Sequence, residues 1–378
     1  MKKLLVLLLA YAMVLTMGAG LVMAEESDDD QAAADAVLEL IEAIQVQSWT
    51  EDTVAECEAA KEAWDALTDE QKELVEEADY FGLDTGDASL DDPRNQDDIG
   101  ENELLVVSFG TSFNDSRVED IKAIEDALQE AYPEYAVRRA FTAQIIINHI
   151  LARDGEEIDN MEQALERAVA NGVTDLVVQP THLMHGAEYD EMCETLEEYA
   201  DLIDNIVVAE PLLGEVGEDA TVINEDKVLV AEAVVAAAVE EAGYDSLEAM
   251  EEDGAALVLM GHGTAHTAKV TYSQMAAAMD DLEYANVFVG TVEGEPEETA
   301  CDVIIEAVQD AGYTKVFLRP LMVVAGDHAN NDMAGDDEDS WKSMFEDAGL
   351  DVECQISGLG RIPEVQGLYI AHTAEVME

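Results

Sequence analysis

Along residues 101–378, short apolar runs alternate with segments of helix length, and this alternation limits the fold more than any other feature of the chain. The runs are Leu104–Ser108, Tyr135–Ala140, Asp175–Gln179, Ile206–Ala209, Ala256–Met260, Val287–Thr291, Lys315–Leu318 and Asp351–Gln355. A short apolar run set between helices reads as a strand of a parallel sheet, buried on both faces. The intervening segments predict helices over 114–131, 143–153, 161–170, 188–203, 227–242, 270–279, 297–311, 340–347 and 363–376. Alternation at this spacing predicts an α/β fold on parallel sheets.

One run carries more chemistry than the others. Leu257–Thr267 reads LVLMGHGTAHT, a strand-length stretch broken by Gly261-His262-Gly263. The flanking glycines leave the backbone bare, so another group can come close to the His262 imidazole. In open α/β sheets, ligands sit outside the carboxyl ends of the strands. Asp175–Gln179 leads in the same way into Pro180-Thr181-His182-Leu183-Met184-His185-Gly186. Two strands that each end in a histidine suggest two imidazoles facing one cleft.

The pattern also restarts. LLVVSFGTSF at Leu104–Phe113 parallels LVLMGHGTAH at Leu257–His266. DLVVQPTHLMHGAEYDEM at Asp175–Met192 parallels KVFLRPLMVVAGDHANNDM at Lys315–Met333. The expectation is a duplication into halves 101–245 and 246–378, facing each other with strand ends on both walls of a cleft.

Residues 1–24 have the form of a secretory signal: Lys2 and Lys3, then an apolar stretch, then Val22-Met23-Ala24 before Glu25. An uncleaved membrane anchor is the rival reading. No cysteine follows the apolar stretch, which argues against a lipoprotein. The mature chain is then expected outside the cytoplasm, periplasmic or at the cell surface. Residues 25–80 read as a helical spacer module, with helices over 31–44 and 52–67 and a capping box at Thr68-Asp69-Glu70-Gln71. Such a module would dock an envelope or cell-surface partner. Residues 81–100, rich in Asp, Gly, Ser and Pro, read as an acidic linker.

Charge excludes some partners. The 378 residues carry 87 acidic and 17 basic side chains, a formal charge of −70 that repels nucleic acid and anionic membranes. Aromatics are only 6%, so aliphatic residues, Ala and Met must fill the core. Cys57, Cys193, Cys301 and Cys354 are widely spaced, with no CxxC, so neither a zinc knuckle nor a redox pair is suggested and their pairing stays open.

There is no GxGxxG, Walker loop, HExxH or GxSxG. The turn Ser108–Ser112 resembles a phosphate loop only superficially, because it lacks the lysine. Of the seven histidines, His149 and His372 fall within helix patterns and read as packing or surface residues. His182, His185, His262, His266 and His328 all follow strand ends. Neutral imidazoles from separate strands, with acids nearby, suit a divalent first-row metal held with an open coordination position. The bland alternative for each is an imidazole capping a helix. Glu188 and Glu293 stand near as candidate orienters. Arg138, Arg139, Lys269 and Arg319 lie near strand or motif ends and are the cations on hand for an anionic substrate.

These motifs resemble those of the anaerobic sirohydrochlorin cobaltochelatases, the class II chelatases. The likeness rests on FGTSF (Phe109–Phe113), AFT (Ala140–Thr142), the HxxxGxEYD-type segment His182–Asp190, MGHGTAH (Met260–His266), GTVEG (Gly290–Gly294) and RPLMVVAGDHANNDMAGDDEDSW (Arg319–Trp341). The resemblance implies two flavodoxin-like, chelatase-like halves and a cleft where Co²⁺, or Fe²⁺ or Ni²⁺, enters a sirohydrochlorin-type tetrapyrrole without ATP or an organic cofactor. It implies His182 and His262 as catalytic and metal-binding residues, with Glu210 as a carboxylate ligand. Ser108, Thr111, Arg138, Arg139, His185, His266, Glu293, Arg319 and His328 are then candidates for substrate binding. A homo-oligomer is expected. Activity is expected to decline on acidification through the histidine range. The alternative function is a non-catalytic extracytoplasmic carrier of tetrapyrrole or metal on the same fold.

Overall fold

The computed structural model describes residues 23–82 and 85–377, so all but the last two positions of the predicted signal lie outside the described residues. No described helix is long and apolar enough to cross a membrane. The chain divides into two compact units.

The first unit holds the described residues up to Thr85 together with 143–157. Its main helices are Met23–Ile44, Thr53–Ala66 and Gln144–Asp154. Val37, Ile41, Ile44, Cys57, Ala60 and Trp64 form its core. Asn148, fully buried, donates to the Ile44 carbonyl at 2.8 Å. The Thr68–Gln71 capping box is present. Sequence assigned 143–153 to the first chelatase half; the structure gives that helix to the helical unit instead. Its apolar positions Ile145, Ile146, Ile147, Ile150 and Leu151 lie all round the helix, so periodicity alone could not say which core they would join.

The second unit, residues 86–142 and 158–377, contains two four-stranded parallel sheets. β1 (Asn102–Ser108), β2 (Ala136–Phe141), β3 (Asp175–Pro180) and β4 (Asn205–Val208) lie in the order β2-β1-β3-β4. β5 (Ala255–Gly261), β6 (Val287–Thr291), β7 (Lys315–Pro320) and β8 (Asp351–Cys354) repeat it as β6-β5-β7-β8. All eight expected strands form. Central strand β5 is buried at every position, as a strand covered by helices on both faces must be.

The duplication extends to single hydrogen bonds. Val107 pairs with Pro180, and Met260 with Pro320. Thr181 N–H donates to Val107 O, and Leu321 N–H to Met260 O, both at 2.8 Å. Gly110 (φ +104°) and Gly263 (φ +92°) turn the chain after β1 and β5 in the left-handed region that glycine enters freely. Each also admits a close neighbour: a Cβ on Gly110 would stand 2.6 Å from the Phe141 ring, and one on Gly263 would stand 2.8 Å from Glu293 Cβ.

One continuous core joins the lobes, including Leu104, Val106, Val234, Leu257, Leu259 and Tyr369. The last helix, Pro363–Met377, follows the second sheet in sequence yet also packs on the first: Tyr369 donates to Thr181 O at 3.0 Å. Asp120, buried, accepts from Arg361 Nε at 2.7 Å and from Ala325 N–H at 2.9 Å.

The stretch expected as a linker is tied down from Gly86 onward. The Asp91 carboxylate is fully buried between Arg117 and Arg139, at 2.5 and 2.6 Å. Burial raises its pKa, but the two guanidinium groups more than offset this and hold it below the ordinary value. None of the four cysteines is paired.

Candidate metal centre

His182 follows β3 directly. Ser108, fully buried at the end of β1, shares a 2.7 Å hydrogen bond with Thr181 and so fixes the backbone just before the histidine. Leu212 N–H donates to His182 O at 3.0 Å. The imidazole itself is shielded from solvent, and neither ring nitrogen has a hydrogen-bond partner. Burial pulls its pKa down to about 4, with the Glu188 charge partly opposing. A neutral, unpartnered imidazole at a strand end is a pair of nitrogen sites held ready for something to bond.

His262 follows β5 and is exposed. Its Nδ1 lies 2.7 Å from Gly263 O. A carbonyl can only accept, so Nδ1 carries the proton and Nε2 keeps its lone pair. Glu293 N–H donates to His262 O at 2.9 Å. Tyr272, packed against Gly261, takes the Gly263 N–H at 3.2 Å.

Two links bring the first lobe's 186–190 segment to the second lobe's 262–272 segment. His266 Nε2 lies 3.4 Å from Asp190 Oδ2. The Glu188 charge acts on both His182 and Tyr272, whose phenol burial pushes up to about 12.

Glu210 follows β4. Its Oε2 lies 2.6 Å from His185 Nε2, and the His185 ring stacks on Tyr189 at 4.4 Å. The Glu210 backbone is held by Gln179, whose Nε2 donates to its carbonyl at 3.0 Å, and by His372 Nδ1 at 3.2 Å. His372 also meets Asp226 at 3.2 Å; burial opposes its charge, but Asp226 outweighs that and raises the pKa. His372 thus braces the carboxylate-bearing turn, more than the packing role read from sequence.

His328 stands beside His262, with ring centroids 4.5 Å apart and edge to face. Its Nδ1 lies 2.6 Å from Asp332 Oδ2. His266 Nδ1 accepts from Ala268 N–H at 3.2 Å, which makes it a cap for the short turn that follows.

Several expected substrate contacts are corrected. Arg138 is fully buried against Glu103 and Asp159, at 3.3 and 2.9 Å. Arg139 is fully buried against Glu125 and Asp91, at 2.7 and 2.6 Å. Arg319 is spent on Glu241 at 2.7 Å and Gln355 at 3.0 Å. Charges this deep hold their partners and cannot reach a ligand. Ser108 is engaged with Thr181. Thr111 is buried, accepts from Phe113 N–H at 3.1 Å and lies close to Gly326. Lys269 is paired with Glu295 at 2.6 Å.

One residue escaped the sequence reading. Phe109 is 47% exposed at the end of β1, the position that His262 takes after β5. Aligning SFGT with GHGT puts the two in register and would have flagged it.

Known proteins are similar to this chain in sequence. The family described as cobalt chelatase (CbiK) matches residues 102–378. A sirohydrochlorin cobaltochelatase of Salmonella typhimurium is 36% identical over 277 residues, 72% of this chain and 96% of that protein. Sirohydrochlorin cobaltochelatase CbiKC of Nitratidesulfovibrio vulgaris is 32% identical over 249 residues, 65% of this chain and 80% of that protein. Among solved structures, SirB from Bacillus subtilis with Fe³⁺ is similar at a TM-score of 0.47 and 16% identity, over 73% of this chain and 96% of that one.

Proposed function

The chain belongs to the cobalt chelatase (CbiK) family, and we propose that it inserts Co²⁺ into sirohydrochlorin, the activity for which its relatives are named. His182 carries the reading. A shielded imidazole with both nitrogens unpartnered is costly to keep in a fold, and an incoming metal ion is the partner that removes the cost. Such a nitrogen competes for Co²⁺ without first losing a proton.

Insertion exchanges one divalent ion for two pyrrole N–H protons, with no change of oxidation state. Water must leave the ion, and two protons must leave the macrocycle. His182, His262 and Glu210 hold the ion while leaving coordination positions open to the pyrrole nitrogens. His262 Nε2 has one lone pair, which accepts a pyrrole proton only once the ion has passed to the macrocycle and left it free. His185 donates to Glu210 and orients it. Phe109 offers an exposed apolar face to a flat ring. Fe²⁺ and Ni²⁺ suit the same nitrogen and oxygen donors.

On the same reading the N-terminal segment exports the chain to the periplasm or cell surface, the helical unit docks an envelope partner, and the chelatase lobes form a homo-oligomer. N-terminal sequencing of protein from the culture fractions and light scattering test these points.

The functional test mixes purified protein, metal-free sirohydrochlorin and Co²⁺ and follows the absorbance spectrum. Wild type is expected to metallate well above the spontaneous rate, and His182→Ala and His262→Ala to lose that excess. Tetrapyrrole binding without metallation would select a carrier instead.

A further inference from the structure

A second group of metal-ligating side chains adjoins His262. Asp327, His328 and Asp332 each offer one ligand atom, and these atoms lie within 4.8 Å of one another. His328 Nδ1, 2.6 Å from the Asp332 carboxylate, must carry the proton. An ion ligated by both takes the place of that proton between Nδ1 and Oδ2, and the neutral imidazole then carries its proton on Nε2. The Asp327 carboxylate is held in turn by Asn331 Nδ2 at 2.8 Å. The trio differs from His182 in exposure: Asp327 is exposed, while His328 and Asp332 are 40% and 44% exposed. An ion held there keeps part of its water and exchanges with solvent. One imidazole and two carboxylates suit a divalent first-row ion. The His328 ring touches the ring of His262, so an ion leaving the trio meets the next imidazole at once.

We propose that Asp327, His328 and Asp332 form a receiving site that takes the divalent ion from solvent and passes it to His262 and His182. Transfer onward rests on the chelatase reading; binding by the trio does not. The transfer is ligand exchange with no change of oxidation state; the His328 proton moves to Nε2 as the ion binds and returns to Nδ1 as it leaves.

The test is equilibrium dialysis of the full chain against Co²⁺ with no tetrapyrrole, in excess Mg²⁺ to occupy the oxygen-only carboxylate surface. Wild type is expected to bind two Co²⁺ per chain, and His182→Ala/His262→Ala and Asp327→Asn/Asp332→Asn one each. In turnover, Asp327→Asn/Asp332→Asn is expected to raise the KM for Co²⁺ about tenfold, more than it lowers kcat. A Co²⁺ stoichiometry that Asp327→Asn/Asp332→Asn leaves unchanged, whether one or two, overturns the receiving site. Metallation by His182→Ala/His262→Ala above the spontaneous rate would overturn the chelatase reading and leave the receiving site standing.

Discussion

His182 and Met322 occupy the same place in the two lobes: the carbonyl of His182 accepts from Leu212 N–H at 3.0 Å, and the carbonyl of Met322 from Leu359 N–H at 2.9 Å. One lobe therefore fills this strand-end position with a polar ring and the other with an apolar chain. Nothing in the fold demands the ring, since His182 makes no side-chain hydrogen bond.

That twin suggests the cleanest substitution. His182→Met places in the first lobe the side chain that the second already accommodates. It removes a shielded unpartnered polar group, so stability should hold or rise by about 1 kcal/mol. Metallation should fall to the spontaneous rate. Urea denaturation and the spectral assay check the two halves of this statement. A variant that retains activity would remove His182 from the mechanism.

Acid should weaken the wild type through the same residue. A free imidazole titrates near 6.5 and His182 at about 4, so between those values the unfolded chain binds a proton that the native chain lacks. Unfolding free energy therefore falls as pH drops through this window, by up to roughly 3 kcal/mol from this group, and levels off below it. His182→Met should lack that component. Urea titrations of both chains from pH 7 to pH 4 measure it, and parallel curves would contradict it. On the proposed role, protonation of His182 itself would cost activity only near pH 4, below the ordinary histidine range.

The arginines of β2 should matter for folding alone. Arg139→Met would leave the fully buried Asp91 and Glu125 carboxylates with one guanidinium each, Arg117 and Arg94, in place of two. Removing one partner of a buried pair costs ~3–5 kcal/mol, and denaturant unfolding should register a loss of that size. The KM for the tetrapyrrole should stay near that of wild type. A substrate-bound guanidinium would instead raise it about tenfold or more.

These arginines also show where sequence stops being informative. Apolar runs announce the central strands because burial on both faces leaves little other composition open to them, while the edge strands β4 and β8 are only partly buried. Gly261-His262-Gly263 and Pro180-Thr181-His182 mark the two histidines as candidates because a strand end is where a side chain can leave the sheet. Arg138 and Arg139 sit on such a strand too, but their partners Glu103, Asp159, Asp91 and Glu125 come from remote segments. Only the folded topology shows that these charges are neutralised. The helix at 144–154 is legible as a helix, while its choice of core is not. The Asp327–His328–Asp332 group is half legible: His328 follows a strand end, but its two carboxylates look like two more acidic charges in a chain that has 87.

Glu210 should depend on His185. The 2.6 Å contact directs one carboxylate oxygen, and His185→Ala would release it. Loss of an orienting partner typically costs 10–100-fold in metal affinity, so the KM for Co²⁺ should rise by about that factor. His185→Gln, whose amide can still donate, should recover part of it. Equal defects in the two variants would mean that His185 acts by some route other than that hydrogen bond.

The two glycine turns separate backbone strain from the placement of His262. Gly263 has φ +92°, and an alanine Cβ there would press to 2.8 Å from Glu293 Cβ. Gly110 has φ +104°, and its Cβ would press to 2.6 Å from the Phe141 ring. Both substitutions should cost stability of similar size, ~1–3 kcal/mol, since both force an L side chain into the left-handed region. Their effects on turnover should differ. The Gly263 carbonyl fixes the His262 tautomer, and its amide anchors Tyr272, so Gly263→Ala moves both. Gly110→Ala disturbs Phe109, which offers packing and no proton chemistry. Compared at a temperature where both variants remain folded, Gly263→Ala should lose kcat by a factor of ten or more beyond Gly110→Ala, the scale of a misoriented catalytic group. Equal losses in kcat would trace the defect to strain common to the two lobes and away from the imidazole of His262.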